Sequence, residues 1–186
     1  MIKRLFDISF SITVLLILSP LFFIIILSIL IIDGRPIFFL QKRSGKNKIP
    51  FKFIKFRTMN NNYEIKEMHR ITPLGNFLRR TSLDELPSFF NVLIGDMSVV
   101  GPRPLLEIYL ERFSEFQIRR LEIKPGITGL AQVNGRNNLS WDKKFNFDVK
   151  YVDNQSFILD IKIILKTVKQ VLTAKGVTAG NQIIMP

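Results

Sequence analysis

The stretch LFDISFSITVLLILSPLFFIIILSILIIDGRPIF, Leu5 to Phe38, has no charged residue between Ile8 and Ile32 and is built mainly from Leu, Ile and Phe. An apolar run of that length is enough to cross a bilayer once as a helix. It is too long for the apolar core of a signal peptide and no Ala-x-Ala-like cleavage site follows, so it is expected to stay in the mature protein. Ser19-Pro20 falls in the middle of the run. Proline removes a backbone hydrogen bond and clashes with the carbonyl four residues earlier, which predicts a kink. The Ser19 hydroxyl can supply the donor that lipid cannot. At 1.5 Å per residue each half is only ~18 Å long, short of the roughly 30 Å of hydrocarbon. The halves can span together as one kinked helix, or turn back as a re-entrant helix-break-helix. Lys3 and Arg4 precede the run while Arg35, Lys42 and Arg43 follow it. Both ends carry the cytoplasmic label, and charge alone leaves the two arrangements evenly matched.

Charge is concentrated beside that segment. The 186-residue chain has a formal net charge of +12, and Arg35–Arg80 holds twelve basic residues against only Glu64 and Glu67. The partners implied are anionic: headgroups of the inner leaflet, or phosphorylated substrates held there. No stacking or groove-reading motif accompanies the charge, so nucleic acid is not an expected partner. Cysteine is absent and His69 is the single histidine. That excludes a disulfide framework, a thiolate nucleophile and a multi-histidine or Cys-ligated zinc site.

After Gly34 the pattern shortens. Pro36–Arg43 and Pro50–Met59 read as strands of a small β-hairpin around the turn signal Ser44-Gly45-Lys46-Asn47. In FKFIKFRTM, Phe51–Met59, the aromatics Phe51, Phe53 and Phe56 interleave with Lys52, Lys55 and Arg57, giving an apolar and a basic side. Asn60–Arg70 is polar and reads as an irregular excursion. Leu105–Leu121 places Leu105, Tyr109, Phe113 and Phe116 at helical spacing, predicting an amphipathic helix stopped by Pro125-Gly126. Phe157–Leu172 predicts a second helix with Lys162, Lys166 and Lys169 on one side, suited to the core or to the membrane interface with lysines reaching the headgroups. Between them KPGITGLAQVNGR, Lys124–Arg136, reads as a loop whose glycines let backbone amides approach a ligand.

The chemistry-bearing stretch is TSLDELPSFFNVLIGDMSVVGPRP, Thr81–Pro104. Ser82-x-x-Glu85 before an apolar run is a capping box, which alone can account for acids at a helix N-terminus. Pro87 sits better if the helix begins near Leu86, which leaves Asp84 and Glu85 at its mouth beside the donors that bind phosphate. Two adjacent carboxylates near arginines suit phosphoryl chemistry: one oxygen attacks phosphorus while another holds a hard cation such as Mg2+. Arg79 and Arg80, just before, are expected to keep Asp84 ionised. Arg103 stands on a stiff turn between Pro102 and Pro104 and can clamp phosphate oxygens at little entropic cost. The residues alone allow phosphoryl transfer at a membrane surface. They also allow a non-catalytic, membrane-attached module that binds anionic lipids.

KRLFDI with the Ser-Pro break, FIKFRTM, RRTSLDELPSFFNVLIGDMSVVGPRPLL, KPGITGLAQVNGR and SWDKKFNFDVKYV together resemble, in order and nearly end to end, the bacterial sugar transferase family of monotopic phosphoglycosyl transferases. The resemblance implies an α+β fold: residues 1–34 as a re-entrant membrane helix, and residues 35–186 as a membrane-associated catalytic domain with the hairpin and interfacial amphipathic helices. It implies transfer of a sugar-1-phosphate from a UDP-sugar to undecaprenyl phosphate with release of UMP, as the first membrane step of glycan assembly. The expected location is the cytoplasmic face of the bacterial inner membrane, with downstream glycosyltransferases as further partners. Carried over residue by residue, Asp84 is the nucleophile that forms a phosphosugar-aspartate intermediate, and Glu85 is the Mg2+ ligand. Lys55, Arg103 and Asp148 are further active-site residues, with Arg79, Arg103, Pro104 and Arg136 at the substrate and Ser19-Pro20 as the membrane break.

Overall fold

The computed structural model describes residues 1–61, 67–135 and 138–173, and its architecture is mixed helix and sheet. Helix α1 spans Ile2–Ile17, and α2, Ser19–Ser28, runs on into a π-helical turn over Ile29–Asp33. Strands β1, Phe38–Ser44, and β2, Pro50–Phe56, form an antiparallel hairpin. Next come α3, Pro73–Thr81, a 3-10 turn at Leu83–Glu85, and α4, Ser88–Ile94. Strand β3, Ser98–Val100, is followed by α5, Glu115–Ile118, and by β4, Gly126–Thr128, which pairs parallel to β3. Helices α6, Leu130–Val133, α7, Trp141–Asp153, and α8, Phe157–Thr173, complete the described chain.

The break at Ser19-Pro20 forms as its chemistry requires. The two apolar segments are bent by 61°. Ser19 Oγ donates to the Leu16 carbonyl at 2.9 Å, the carbonyl that Pro20 has no N–H to satisfy. No single described helix is long and apolar enough to cross a membrane; the bent pair passes that test only together.

Polar residues at the start of α1 tie it to the body. Arg4 donates to the Val92 and Leu93 carbonyls at 2.5 and 2.8 Å, closing the C-terminal end of α4, where cations are favoured. Asp7, buried, accepts from Ser98 Oγ at 3.1 Å and from the Val99 N–H at 3.0 Å on β3. Lys3 pairs with Asp160 of α8 at 2.6 Å, and the Tyr151 hydroxyl donates to the other Asp160 oxygen at 2.5 Å. At the far end of the apolar segment, Arg57 donates to the carbonyls of Asp33, Gly34 and Arg35. The main core packs Phe51, Phe53, Phe89, Met97 and Val100 against Tyr151 and Ile163. A second cluster joins Ile25 and Ile29 of the apolar segment to Phe56 and Leu78, so the segment and the body share a core.

Three expectations change. Leu105–Leu121 is not one helix: a 3-10 stretch at Glu107–Arg112 gives way to extended Phe113, and Ser114 with Gln117 forms a capping box that starts α5 afresh. Leu105 and Tyr109 do converge, with Phe113 against them, but around Phe145 of α7, while Phe116 faces out. Lys124–Arg136 is not a loop over its described part, since it supplies β4 and α6. Nor does Ser82 begin a helix. It adopts left-handed φ of 60° and ends α3, its N–H bonded to the Arg79 carbonyl at 3.2 Å, with no side-chain cap. A residue spent as a C-terminal stop cannot also serve as an N-cap. Within Asn60–Arg70, residues 62–66 lie outside the described residues, and Glu67–Arg70 form a 3-10 turn.

Candidate active site at the Asp84–Glu85 turn

Four segments bring the site together. Lys55 lies on β2 opposite Phe39 of β1, its Nζ 5.3 Å from that ring's centre. Asn91 of α4 accepts from the Ile54 N–H at 3.0 Å and donates to the Lys52 carbonyl at 2.8 Å, locking the helix that follows the dyad to the lysine strand. Arg79 of α3 donates through Nε to Thr58 Oγ1 at 2.8 Å. That approach depends on Gly75, where a Cβ would lie 2.0 Å from the Thr58 carbonyl oxygen. The 3-10 turn carrying Asp84 and Glu85 is pinned by Ser88 Oγ, which donates to the Glu85 carbonyl at 2.6 Å. Arg103 leaves the end of β3, where Gly101 and Gly126 meet so closely that a Cβ on Gly126 would fall 2.0 Å from the Gly101 nitrogen. Its guanidinium donates to both oxygens of Glu85, with Nη1 to Oε2 at 3.0 Å.

The dyad is electrostatically divided. Asp84 is 7% exposed and no hydrogen bond reaches its carboxylate among the described residues. Burial, then the charge of Glu85, push it up to about 7 against the opposing pull of Lys55, Arg103 and Arg79. Arg79 does favour the ionised form, as expected, but desolvation outweighs it, and Arg80, exposed to solvent, is not among the groups that shift Asp84. Burial pushes Glu85 up as well, but the charge and hydrogen bonds of Arg103, with Lys55 and Arg43, leave it below the usual carboxylate range. Lys55 is lowered, first by burial and then by Arg79 and Arg43, against Asp84 and Glu85. Two adjacent carboxylates with pKa values driven apart can take different roles. Glu85 is held as an anion, while the Asp84 carboxylate, 7% exposed, accepts no hydrogen bond among the described residues.

The other expected residues fall in different places. Asp148 of α7 is buried and touches Arg120 instead of the dyad, Arg120 Nη2 lying 2.8 Å from its Oδ2. Pro104 is buried beneath Arg103, its carbonyl 3.4 Å from Arg43 Nη1. Arg136 lies outside the described residues. Arg43, read from sequence only as part of a basic flank, is buried beside Glu85 and Arg103 and pushed down to about 10, mostly by burial. Arg120 was likewise missed. The available signal was Asp148 itself, an acid between Phe145 and Val149 of an amphipathic helix, which needs a cation that the sequence does not specify.

The donor set suits Mg2+. That ion is held by one or two carboxylates and completes its shell with water and substrate phosphates, and Glu85, kept as an anion on the turn beside Asp84, would supply a hard oxygen ligand.

The model of the family described as bacterial sugar transferase matches residues 1–174. The chain belongs to that family. Among its relatives, the uncharacterized sugar transferase EpsL of Bacillus subtilis is 47% identical over 98% of this chain and 93% of its own length. The undecaprenyl-phosphate galactose phosphotransferase of Salmonella typhimurium is 41% identical over 94% of this chain. The UDP-glucose:undecaprenyl-phosphate glucose-1-phosphate transferase of Klebsiella pneumoniae is 41% identical over 89% of it. The chain spans 41% and 39% of the lengths of those two larger proteins.

Proposed function

We propose that this bacterial sugar transferase moves a sugar-1-phosphate from a UDP-sugar to undecaprenyl phosphate in two displacements. An Asp84 oxygen attacks the β-phosphorus, the bond from that phosphorus to the bridging oxygen breaks, and UMP departs. A phosphate oxygen of the lipid then attacks the same phosphorus, the bond to Asp84 breaks, and the lipid diphosphate sugar leaves with the carboxylate regenerated. An acyl phosphate is a high-energy link, so the second transfer loses little driving force. The observation that carries this reading is Asp84 itself: buried, unbonded, raised to about 7, and faced by Lys55, Arg103 and Arg79. A module that only bound anionic lipid would gain nothing from a desolvated acid at the centre of its cations.

Arg103 and Arg79 hold the phosphate oxygens, and Lys55 offsets charge that builds on them in the transition state. Glu85 binds Mg2+, which when present neutralises charge on the diphosphate. Arg103, half-exposed at 42%, then exchanges part of its contact with Glu85 for substrate phosphate. Outward apolar residues on both arms of the bent segment, among them Leu16, Ile17, Phe23, Ile24 and Ile31, fit a re-entrant hairpin entering from the cytoplasmic face. Ile158, Leu165 and Val168 of α8, exposed beside Lys162, Lys166 and Lys169, fit an interfacial helix. The product would feed glycosyltransferases that extend the lipid-linked sugar. The test is UMP release from a panel of UDP-sugars by the full chain in lipid nanodiscs. Release with one class of sugar that needs Mg2+, stops at about one UMP per enzyme without lipid and turns over repeatedly once undecaprenyl phosphate is added is expected; silence across the panel, with folded protein, contradicts the reading.

A further inference from the structure

Arg120 and Asp148 form a buried pair that the two displacements above do not use. Both are 3% exposed. Arg120 gives Asp148 Oδ2 two contacts, from Nε at 3.0 Å and from Nη2 at 2.8 Å. The same Nη2 donates to the main-chain carbonyl of Arg103 at 2.6 Å. The guanidinium packs against the edge-to-face pair Phe113–Phe145, 5.7 and 5.6 Å from the two ring centres, which adds a cation–π restraint on its position.

The next two carbonyls are held as well. Arg43 Nη1 lies 3.4 Å from the Pro104 oxygen, and the Leu105 oxygen accepts from the Ser44 N–H at 2.9 Å and from Ser44 Oγ at 3.1 Å. Three consecutive carbonyls are therefore gripped from outside their own segment, while the side chain of Arg103 stays 42% exposed and reaches Glu85. A rigid backbone under a solvent-accessible tip is what a phosphate-clamping arginine needs.

Stability alone does not explain the pair. Arg120 Nη1 and Asp148 Oδ1 are buried without a hydrogen-bond partner, and a buried ion pair with unsatisfied atoms is commonly no better for stability than apolar residues of the same volume. We propose that Arg120, oriented by Asp148, is a positioning residue that sets the aim of Arg103 through its main-chain carbonyl. Asp148 thus acts at one remove and not on the substrate. The inference rests on the sugar-phosphate transfer reading for its catalytic consequence but not for its geometry.

The experiment combines kinetics with hydrogen exchange on the full chain in nanodiscs. Arg120→Lys keeps the charge but cannot bridge Asp148 and the Arg103 carbonyl in the same plane. It should lower kcat by about tenfold or more, with little change in melting temperature. Added to Arg103→Ala it should cause no further loss. Losses that multiply overturn the proposal. The paired change Arg120→Met with Asp148→Leu removes both buried charges together and should fold, with the same fall in kcat; normal kcat in that variant also overturns it. Amide exchange across Gly101–Leu106 should quicken in Arg120→Lys while the hairpin is unchanged. If the wild type turns over no UDP-sugar in the panel, the transfer reading fails by itself, and unaltered exchange across Gly101–Leu106 remains the result that overturns the clamp.

Discussion

Burial and Glu85 hold Asp84 up at about 7, and the attack requires its ionised form. The expected consequence in the Mg2+-free protein is a carboxyl titration, read by infrared or NMR, centred at about 7, which Mg2+ bound at Glu85 moves down. A titration centred near the ordinary carboxylate value of about 4 would contradict the environment described. The same shift predicts a stability effect. A carboxyl whose folded pKa is raised binds its proton more tightly folded than unfolded, so stability falls as pH rises through the window between the two values. Above it the full cost remains, on the order of 4 kcal/mol. Asp84→Asn should therefore melt higher than wild type at pH 8 and lose most of that advantage by pH of about 4, in a thermal scan across pH. Turnover by the same variant should fall by at least about a thousandfold in the UMP-release assay.

At the scale of elements, the apolar segment is anchored at both ends, and each anchor is testable. Asp7 satisfies both Ser98 Oγ and the Val99 N–H in a buried place. Asp7→Ala leaves those donors unpaired and should cost about 2–4 kcal/mol, read from the denaturant midpoint at unchanged slope. The 61° bend depends on Pro20, with Ser19 covering the Leu16 carbonyl. Replacing both by Ala should straighten the pair, and a label at the N-terminus should then become reactive from the opposite side of the membrane; unchanged sidedness contradicts the hairpin. These two elements, the break and the β1–β2 hairpin, were legible in the sequence because their causes are local: a proline within an apolar run, and two alternating strands about a Gly-containing turn. The stretch Leu105–Leu121 was not legible, since its helical spacing hid the capping box at Ser114 and the pull of Phe113 toward Phe145. Strand β4 was equally hidden, being three residues long and formed by pairing with β3, distant in sequence.

Across the whole molecule, the parts of the candidate site that were legible are those announced by residue type at close spacing: Asp84 and Glu85, and Arg103 between two prolines. Lys55 and Arg79 join them because FIKFRTM is spent residue by residue, Lys55 on the site, Phe56 in the core, Arg57 on the end of the apolar segment and Thr58 on Arg79. Arg43 and Arg120 were not legible. In a chain with 27 basic residues a single arginine reads as a solvated face, and only tertiary packing shows that these two are buried against the Arg103 segment. The direction of the Asp84 shift was misread for the same reason, since sequence displays neighbouring charge and conceals desolvation. The central claim is that Asp84 carries the sugar phosphate between donor and lipid. The measurement that tests it most directly is the intact mass of the full chain after exposure to Mg2+ and its active UDP-sugar without undecaprenyl phosphate. A gain of one sugar phosphate is predicted, absent in Asp84→Asn and discharged when the lipid is added. An adduct that persists in Asp84→Asn, or one that the lipid fails to discharge, would contradict the account.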